Sequence, residues 1–436
     1  MSWSNWAGNV RTDPAWTVHA RDTSEVAGAV KAAAREGMRV KALGSGHSFT
    51  PIAVADGVAV RVPSGPGLVR VDGPRATVPA GITLRELNPL LWRRGLALPN
   101  LGDIDAQTVA GAISTGTHGT GAGYRSIAAQ VRALELVLAD GSVLSCSDTE
   151  NADVFRHARV GLGALGVITT VTLECVPAFR LHAVEAALPL SRVLAEVDEM
   201  ASANEHFEFY WFPHTDIAAT KRNNRTEADG PVRGRVAEWV GDDLLGNGVF
   251  ELTCRLGARV PSLVPRINRL VADQFAAAEY VDRSYDVFCS PRRVRFLEME
   301  YAIPREALPE AFAGLRAAVD RHGQAVTFPV EVRVLDGDDI PLSTSSGRDT
   351  AYIAVHVFRG QPHAAYFGAV ESVMTALGGR PHWGKMHTRT ATSLRASYDG
   401  FDAFVALRDR LDPEGRFRNA YLDRVLGVPA TCASET

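Results

Sequence analysis

The stretch Gly44-Ser45-Gly46-His47-Ser48-Phe49 decides how the rest of the chain is interpreted. A helical pattern from Glu25 to Glu36 and a short apolar strand from Arg39 to Leu43 lead into this loop. Two glycines around a serine allow backbone N–H groups to approach an anion closely. A P-loop would continue into a helix carrying Lys and Ser or Thr, whereas Thr50-Pro51 follows here, so that interpretation is excluded. The alternative is a surface turn that holds His47 by chance.

Length, composition and charge limit the class of protein. The 436 residues are enough for two or three domains, and 46% hydrophobic with 22% charged residues is typical of a soluble globular chain. A net charge of -4 and a pI near 6.3 predict neither nucleic acid nor an acidic membrane surface as a partner. No apolar run approaches the roughly 20 residues that span a bilayer, so no membrane insertion is expected.

The cysteine pattern indicates the compartment. The five cysteines are scattered, odd in number and never form a CxxC pair: Cys146, Cys175, Cys254, Cys289 and Cys432. Free thiols in a reducing compartment explain this pattern better than a zinc ribbon or a disulfide framework. The N-terminus also lacks the basic and apolar regions of a signal peptide. The sequence therefore predicts a cytoplasmic protein.

A second glycine-rich stretch runs from Thr108 to Gly121. Its alternating Gly, Ser and Thr residues suit a backbone that lies against a large flat or polyanionic ligand, although a flexible linker is the alternative. His118 in this stretch could be a base or a metal ligand. No second histidine or acid stands at ligand spacing, so zinc is disfavoured.

Residues 161–166 read GLGALG, which matches the GxGxxG pattern of dinucleotide-binding folds. That motif requires a helix after the glycines. The β-branched run from Val167 to Leu173 predicts a strand instead, so a nicotinamide site is excluded. The remaining interpretation is a glycine-rich turn that leads into a strand beside a cofactor.

Beyond Pro177 the pattern changes to helices alternating with antiparallel strands, which predicts a domain boundary. Arg222 to Gly234 is polar and is expected to be a loop. In the strand around Glu331-Val332-Arg333, Val330, Val332 and Val334 share one face. Glu331 and Arg333 then project together from the other face, either toward a substrate cleft or as a solvated ion pair. The crowded segment from Arg380 to His387, which includes His382 and Lys385, predicts a site role.

Taken together, these segments resemble the aldonolactone oxidoreductases, a branch of the vanillyl-alcohol-oxidase-type flavoproteins. The resemblance spans nearly the whole chain: GSGHSF at 44–49, THGTG at 117–121, GLGALGVI at 161–168, Glu-x-Arg at 331–333, HWGK at 382–385 and NAYL at 419–422. It implies an α+β fold with a two-part FAD-binding domain of the PCMH type over 1–177. A substrate (cap) domain of antiparallel sheet and helices is implied over 178–378. A C-terminal segment over 379–436 is implied to return to the flavin site.

The resemblance also implies FAD joined covalently through His47, with a raised flavin potential. The implied cofactor-binding residues are Gly44, Ser45, Gly46, His47, Ser48, Phe49, Gly102, Asp103, Thr108, Gly111, Ser114, Thr115, Thr117, His118, Gly119, Gly163, Gly166, Ile168 and His382. The implied catalytic residues are Glu331, Arg333, Lys385 and, as a weaker match, His356. No metal is implied.

Within the family the chain looks most like L-gulono-1,4-lactone oxidases and dehydrogenases. The implied reaction passes hydride from a carbinol carbon of a sugar-derived lactone to flavin, while Glu331 or a neighbouring base takes the hydroxyl proton. Lys385 and Arg333 would stabilise negative charge. Gly102 would leave room for O2, although relatives with glycine there also use other acceptors. Alditol oxidases carry a serine near this position, whereas this chain has Asp103. That difference favours lactones over open-chain polyols.

Three alternatives stay open from the sequence. The first is an alditol or carbohydrate oxidase on the same scaffold. The second is a flavin-binding redox protein without sugar chemistry of its own, which the presence of Glu331, Arg333 and Lys385 opposes. The third is a zinc hydrolase, which the histidine spacing opposes.

Overall fold

The computed structural model describes residues 2–230, 248, 250–273, 277–290, 292–322, 326–429 and 431–432. Its α-helices are Thr23–Arg35, Leu84–Trp92, Val109–Ser114, Ala152–Ala158, Leu190–Ala195, Val197–Ser202, Phe250–Arg259, Val264–Asp273, Ser284–Phe288, Leu308–His322, Ala364–Ala376, Ala391–Arg395, Phe401–Leu411 and Ala420–Leu426. Short 3-10 helices cover Pro51–Ala53, Pro66–Leu68, Ile127–Gln130, Pro261–Leu263 and Arg305–Ala307. Within these described ranges no helix is both long and apolar enough to cross a bilayer.

A small parallel sheet carries the loop that contains His47. Its strands lie in the order Trp16–His19, Val58–Arg61, Val40–Ala42. The helix Thr23–Arg35 packs on it through Val26, Val30 and Ala33. Asp22 caps this helix by accepting a hydrogen bond from the Glu25 backbone N–H at 2.9 Å. The last strand ends at Ala42, so the packed helix and sheet fix the start of the glycine-rich loop.

An antiparallel sheet forms the second half of the N-terminal region. In the described residues its strands lie in the order Val143–Ser147, Val131–Val137, Val167–Glu174, Arg75–Pro79, Arg70–Asp72. The run after the GLGALG stretch is therefore a strand, as predicted, which confirms that the stretch is not a dinucleotide-binding βα turn. Two-stranded pairs join Trp3–Ser4 to Arg11–Thr12 and Leu96–Ala97 to Val176–Pro177.

A large antiparallel sheet dominates the C-terminal half. Among the described residues eight strands form it, in the order Ala278–Arg283, Arg180–Pro189, Ile217–Thr226, His206–Trp211, Val330–Leu335, Thr350–Phe358, Phe296–Pro304, Arg380–Pro381. The helices Leu308–His322 and Ala364–Ala376 share one hydrophobic core with Val330, Val332 and Val334. The opposite face of the same strand therefore carries Glu331 and Arg333, as the alternation predicts.

The expected loop from Arg222 to Gly234 is wrong in its first part. The strand Ile217–Thr226 continues through Arg222 because it pairs along its whole length with Arg180–Pro189. Backbone pairing on both sides outweighs the polar composition of the segment. Residues 231–234 of that prediction lie outside the described residues.

The C-terminal segment returns to the N-terminal region, as the resemblance implies. The Phe49 N–H donates to the Gly384 carbonyl at 2.7 Å. The buried Asn419 amide donates to the carbonyls of Pro51, Ile52 and Val54 at 3.2, 3.1 and 3.0 Å. These contacts hold the segment beside the loop that contains His47.

Replacing Asn419 with alanine is expected to lower the free energy of unfolding by about 2–4 kcal/mol, because it leaves buried carbonyls unpaired and removes a helix cap. The cap is the hydrogen bond from the Leu422 N–H to Asn419 Oδ1, 3.0 Å long. Asn419→Asp is the matched variant, since it keeps the cap acceptor but loses the amide donor. Denaturant unfolding measures both variants. An aspartate variant as stable as the wild type would show that the three carbonyl contacts contribute nothing.

Candidate active site

A glycine-lined cleft lies between the two N-terminal sheets and the loop that carries His47. Most of the predicted cofactor residues line it: Gly44, Ser45, Gly46, His47, Ser48, Thr108, Gly111, Ser114, Thr115, Gly163, Gly166 and Ile168. Gly46 has φ +78, and a Cβ there would lie 2.9 Å from the Trp3 ring. The loop can therefore follow this path only with glycine at that position.

His47 stands where the cleft meets a second, larger cavity, since it lines both. Its ring stacks on Trp6 with centroids 5.7 Å apart, and its Nδ1 is buried without a hydrogen-bond partner. Burial, together with the charges of Arg85 and Lys385, lowers the pKa of His47 to about 4. The imidazole is therefore neutral at physiological pH and keeps a free lone pair.

The second cavity, called the large cavity below, has a volume of about 480 Å³. The remaining predicted site residues that line it are Phe49, Gly102, Asp103, Thr117, His118, Glu331, Arg333, His356, His382 and Lys385. Gly119 lines neither cavity. A Cβ on Gly119 would lie 2.2 Å from Asn100 Oδ1, so glycine at this position is explained by close packing.

Two acids that the sequence analysis missed hold Lys385. Its ammonium pairs with Glu298 and lies 3.9 Å from a Glu300 carboxylate oxygen. Glu298 also lies 3.5 Å from His356 Nε2. Although burial opposes it, Lys385 and the contact with His356 lower the pKa of Glu298 to about 2. The same two acids raise the pKa of Lys385 against the effect of burial, so the lysine stays charged.

Arg333 lies at the centre of a second charge cluster. Its guanidinium pairs with Asp103, Glu208 and Glu331. Asp103 in turn accepts from Arg292 at 2.6 Å. Asp103 thus lines the large cavity and holds the Arg333 side chain there. The three carboxylates are balanced by Arg333 itself, by Arg292 and by Lys221, whose ammonium lies 3.9 Å from Glu208.

Burial and the individual charges of this cluster act on Glu331. Burial raises the pKa of Glu331 to about 7, and the charges of Asp103 and Glu208 add to that effect, which Arg333 offsets only in part. The Tyr210 hydroxyl donates to Glu331 Oε1 at 2.9 Å and so orients the carboxylate. A carboxylate with a pKa near neutrality is suited to act as a general base.

The fold supplies His118 with the neighbours that its local sequence lacks. Its Nε2 lies 3.3 Å from Glu300 Oε1, and His382 is the third member of this cluster. Burial lowers the pKa of His382 to about 3. The Lys385 ammonium beside Glu300 already supplies a positive charge there. We therefore interpret the cluster as a hydrogen-bonded wall of the large cavity.

One sequence signal could have found Glu298 and Glu300. Both stand in the apolar strand Phe296–Pro304 with a spacing of two, which places them on one face. The same spacing of two places Glu331 and Arg333 on one face of their own strand. Gln107, which lines both cavities, carries no comparable signal.

The residues present fit FAD. The cleft offers backbone N–H groups from glycines and hydroxyls from Ser and Thr, which suit a dinucleotide with its diphosphate. The unpartnered Nδ1 of His47 lies at the junction with the large cavity, where the flavin ring would meet a substrate. FAD is therefore the cofactor that this arrangement would hold.

Comparisons with known proteins agree with this geometry. Residues 14–147 match the FAD binding domain family, and residues 171–425 match the D-arabinono-1,4-lactone oxidase family. An L-gulono-1,4-lactone dehydrogenase of Mycobacterium tuberculosis is 44% identical over 98% of this chain and 99% of its own. The L-gulonolactone oxidase of Mus musculus is 37% identical, with 98% of both chains covered.

The solved structure of a solvent-stable cholesterol oxidase has a TM-score of 0.82 at 20% identity, and the match covers 98% of this chain and 97% of that one. At that identity it shows the fold alone, and it confirms the predicted two-part FAD-binding domain with a mixed helix-and-sheet domain beside it. The family match covers more than half of the chain. The protein therefore belongs to the D-arabinono-1,4-lactone oxidase family of FAD-dependent oxidoreductases.

Proposed function

We propose that the protein oxidises a sugar-derived lactone, L-gulono-1,4-lactone or a related aldonolactone, at a carbinol carbon. The observation that carries this proposal is the convergence of Glu331, Arg333 and Lys385 in one cavity that begins at His47. A buried base and two fixed cations suit a small, hydroxyl-rich substrate. Relatives named for L-gulonolactone, at 44% and 37% identity, support a lactone, whereas an alditol oxidase is 34% identical.

Glu331 takes the proton of the reacting hydroxyl. Its pKa of about 7 leaves a large share of the carboxylate ionised at neutral pH, while the proton affinity stays high. Tyr210 holds the carboxylate in place through the 2.9 Å hydrogen bond. When FAD is bound, its flavin ring supplies the acceptor for the hydride that leaves the same carbon. The resulting 2- or 3-keto lactone can enolise to an ascorbate-like product.

Lys385 and Arg333 position the substrate and balance negative charge on its oxygens. Lys385 is held by Glu298, and Arg333 by Asp103 and Glu208, so neither cation needs to reorganise during the reaction. Because three carboxylates already surround Arg333, Lys385 is the stronger candidate for stabilising developing negative charge. His356 holds Glu298 from the other side and acts through it.

With FAD bound, O2 or another acceptor would take up the electrons from the substrate. Gly102 was expected to leave room for O2, but a Cβ there would also lie 2.8 Å from the His118 carbonyl oxygen. Backbone packing alone therefore calls for glycine at this position. The acceptor is identified by mixing anaerobically reduced protein with air-saturated buffer or with an artificial acceptor and comparing the reoxidation rates.

We also propose a cytoplasmic location. The five cysteines are free thiols, two of them only partly buried, as expected for a reducing compartment. Fractionation of the producing cells, with detection of the full-length chain in the soluble fraction, tests this location.

The test of the proposed reaction is anaerobic mixing with a panel of lactones and polyols. We expect L-gulono-1,4-lactone or D-arabinono-1,4-lactone to bleach the flavin absorbance faster than xylitol or sorbitol. Faster bleaching by a polyol would identify an alditol oxidase instead. A panel that never bleaches the flavin would identify a redox protein without sugar chemistry of its own.

A further inference from the structure

Lysine is rare in this chain, and its positions are selective. Of the 46 lysines and arginines only four are lysines: Lys31, Lys41, Lys221 and Lys385. Lys31 is exposed on the first helix, whereas the other three line the two cavities. Lysine presents a compact point charge, while arginine presents a planar fork. Of these four, Lys41 is the lysine that lines the glycine-lined cleft, and the proposed reaction does not use it.

Lys41 is a buried cation without an acidic partner. It stands on the strand Val40–Ala42, directly before the loop that carries His47, and is 5% exposed. Its Nζ donates to the carbonyls of Gly163 at 3.2 Å and of Phe417 at 3.1 Å. In the described part of the chain no carboxylate lies within ion-pair distance of it. A buried ammonium held only by neutral carbonyls is unfavourable unless another anion completes the site.

The cleft itself provides no other formal charge. Among the described residues that line it, Lys41 is the only one that can carry a positive charge near neutral pH, because His47 is neutral there. The ligand that this cleft fits, FAD, carries a dianionic diphosphate. Backbone N–H groups can solvate that diphosphate, but they bring no net charge.

We propose that Lys41 supplies the positive charge that binds the diphosphate of FAD. The lysine lines the cleft beside Gly163, which the family resemblance assigns to the cofactor, and stands three residues before Gly44. Two observations carry the assignment: the ammonium has no acidic partner, and the cleft has no other formal charge. Burial lowers the pKa of Lys41 to about 7, so a bound anion would also keep the amine protonated.

The competing explanation is a purely structural role. Lys41 joins the Gly163 turn to Phe417 of the C-terminal segment and could serve only to hold them together. The two roles differ in what they predict for ligands that carry or lack the diphosphate. A charge contact discriminates ADP from adenosine, whereas a structural contact does not.

The first experiment uses calorimetry on full-length protein with ADP and adenosine as ligands, in the His47→Ala background, from which unlinked FAD can be removed. Lys41→Met is expected to weaken ADP binding by about tenfold or more while leaving adenosine binding unchanged, since hydrogen bonds to charged groups contribute about 1.5–3 kcal/mol. Lys31→Met, at the exposed lysine, should bind both ligands like the wild type. In the holoenzyme, phosphorus NMR should show at least one diphosphate resonance displaced in Lys41→Met and none in Lys31→Met.

A second measurement covers the case in which Lys41→Met does not fold. Protein of the same His47→Ala background labelled at the lysine ε-carbon gives signals from only four residues, and Lys41→Arg assigns the one from Lys41. ADP, but not adenosine, should shift that signal. Equal effects of the two ligands, or unchanged ADP binding with a lower melting temperature in Lys41→Met, would overturn the inference.

The inference rests on FAD binding in the glycine-lined cleft, and the two can fail separately. Wild-type protein that binds neither FAD nor ADP would remove both. If the wild type and Lys41→Met bind ADP equally tightly, only the role of Lys41 is removed, and FAD binding in the cleft stands.

Discussion

Replacing Glu331 with glutamine is expected to lower kcat by about 10²–10⁴-fold, the range for loss of a general acid–base group. Glutamine keeps the size of the side chain and can still accept from Tyr210, but it cannot take a proton. Steady-state turnover with the lactone that reduces the flavin fastest measures this loss. Flavin content and the melting temperature of the variant should match those of the wild type.

The pH profile distinguishes a base from a residue that only positions the substrate. Glu331 must be ionised to accept the proton, and its pKa is about 7. In the wild type, kcat/KM should therefore rise as the pH increases through about 7 and then level off. In Glu331→Gln this acidic limb should disappear. A limb that persists unchanged would assign the base to another group.

Asp103→Asn provides a matched variant that leaves Glu331 in place. Asp103 is one of the charges that raise the pKa of Glu331, and its loss also leaves Arg333 freer to pair with Glu331. Both effects lower that pKa, so the acidic limb should move to lower pH. A move to higher pH would contradict this account of the cluster.

Replacing His47 with alanine is expected to abolish acid-stable flavin. Acid precipitation of the wild type should give a yellow pellet, because the neutral ring of His47 offers an unpartnered Nδ1 for the bond to the cofactor. Bond formation removes one hydrogen from the imidazole and one from the ring methyl, and an acceptor such as O2 takes up the two electrons. The variant should give a colourless pellet with FAD in the supernatant.

The same variant should turn over more slowly. A covalent link to the flavin ring raises its potential, so its loss weakens the driving force for hydride transfer. We expect kcat to fall about tenfold, which corresponds to about 1.4 kcal/mol in activation free energy. A wild-type pellet without colour would leave His47 as a non-covalent neighbour of the cofactor.

The glycine-rich loops and the Glu331–Arg333 strand illustrate what short-range sequence patterns predict well. Gly44, Gly46 and the run after Gly166 are constrained by backbone sterics, which act between neighbouring residues and are visible in any window of a few positions. The alternation of Val330, Val332 and Val334 likewise determines which face of the strand is buried. Family resemblance then connected these segments to one cofactor and one class of reaction.

The sequence alone thus determined the cofactor loops, the strand that carries Glu331 and Arg333, and the class of flavoprotein. Only the tertiary structure decided which charges meet. Asp103, Glu208 and Arg333 lie far apart in the chain, and so do Glu298 and Lys385, yet each set forms a cluster. The physical reason is that ion pairing and burial depend on distances through space, which strand order and register set across the whole sheet. The raised pKa of Glu331 and the unpaired charge of Lys41 follow from those distances and have no local signature in the sequence.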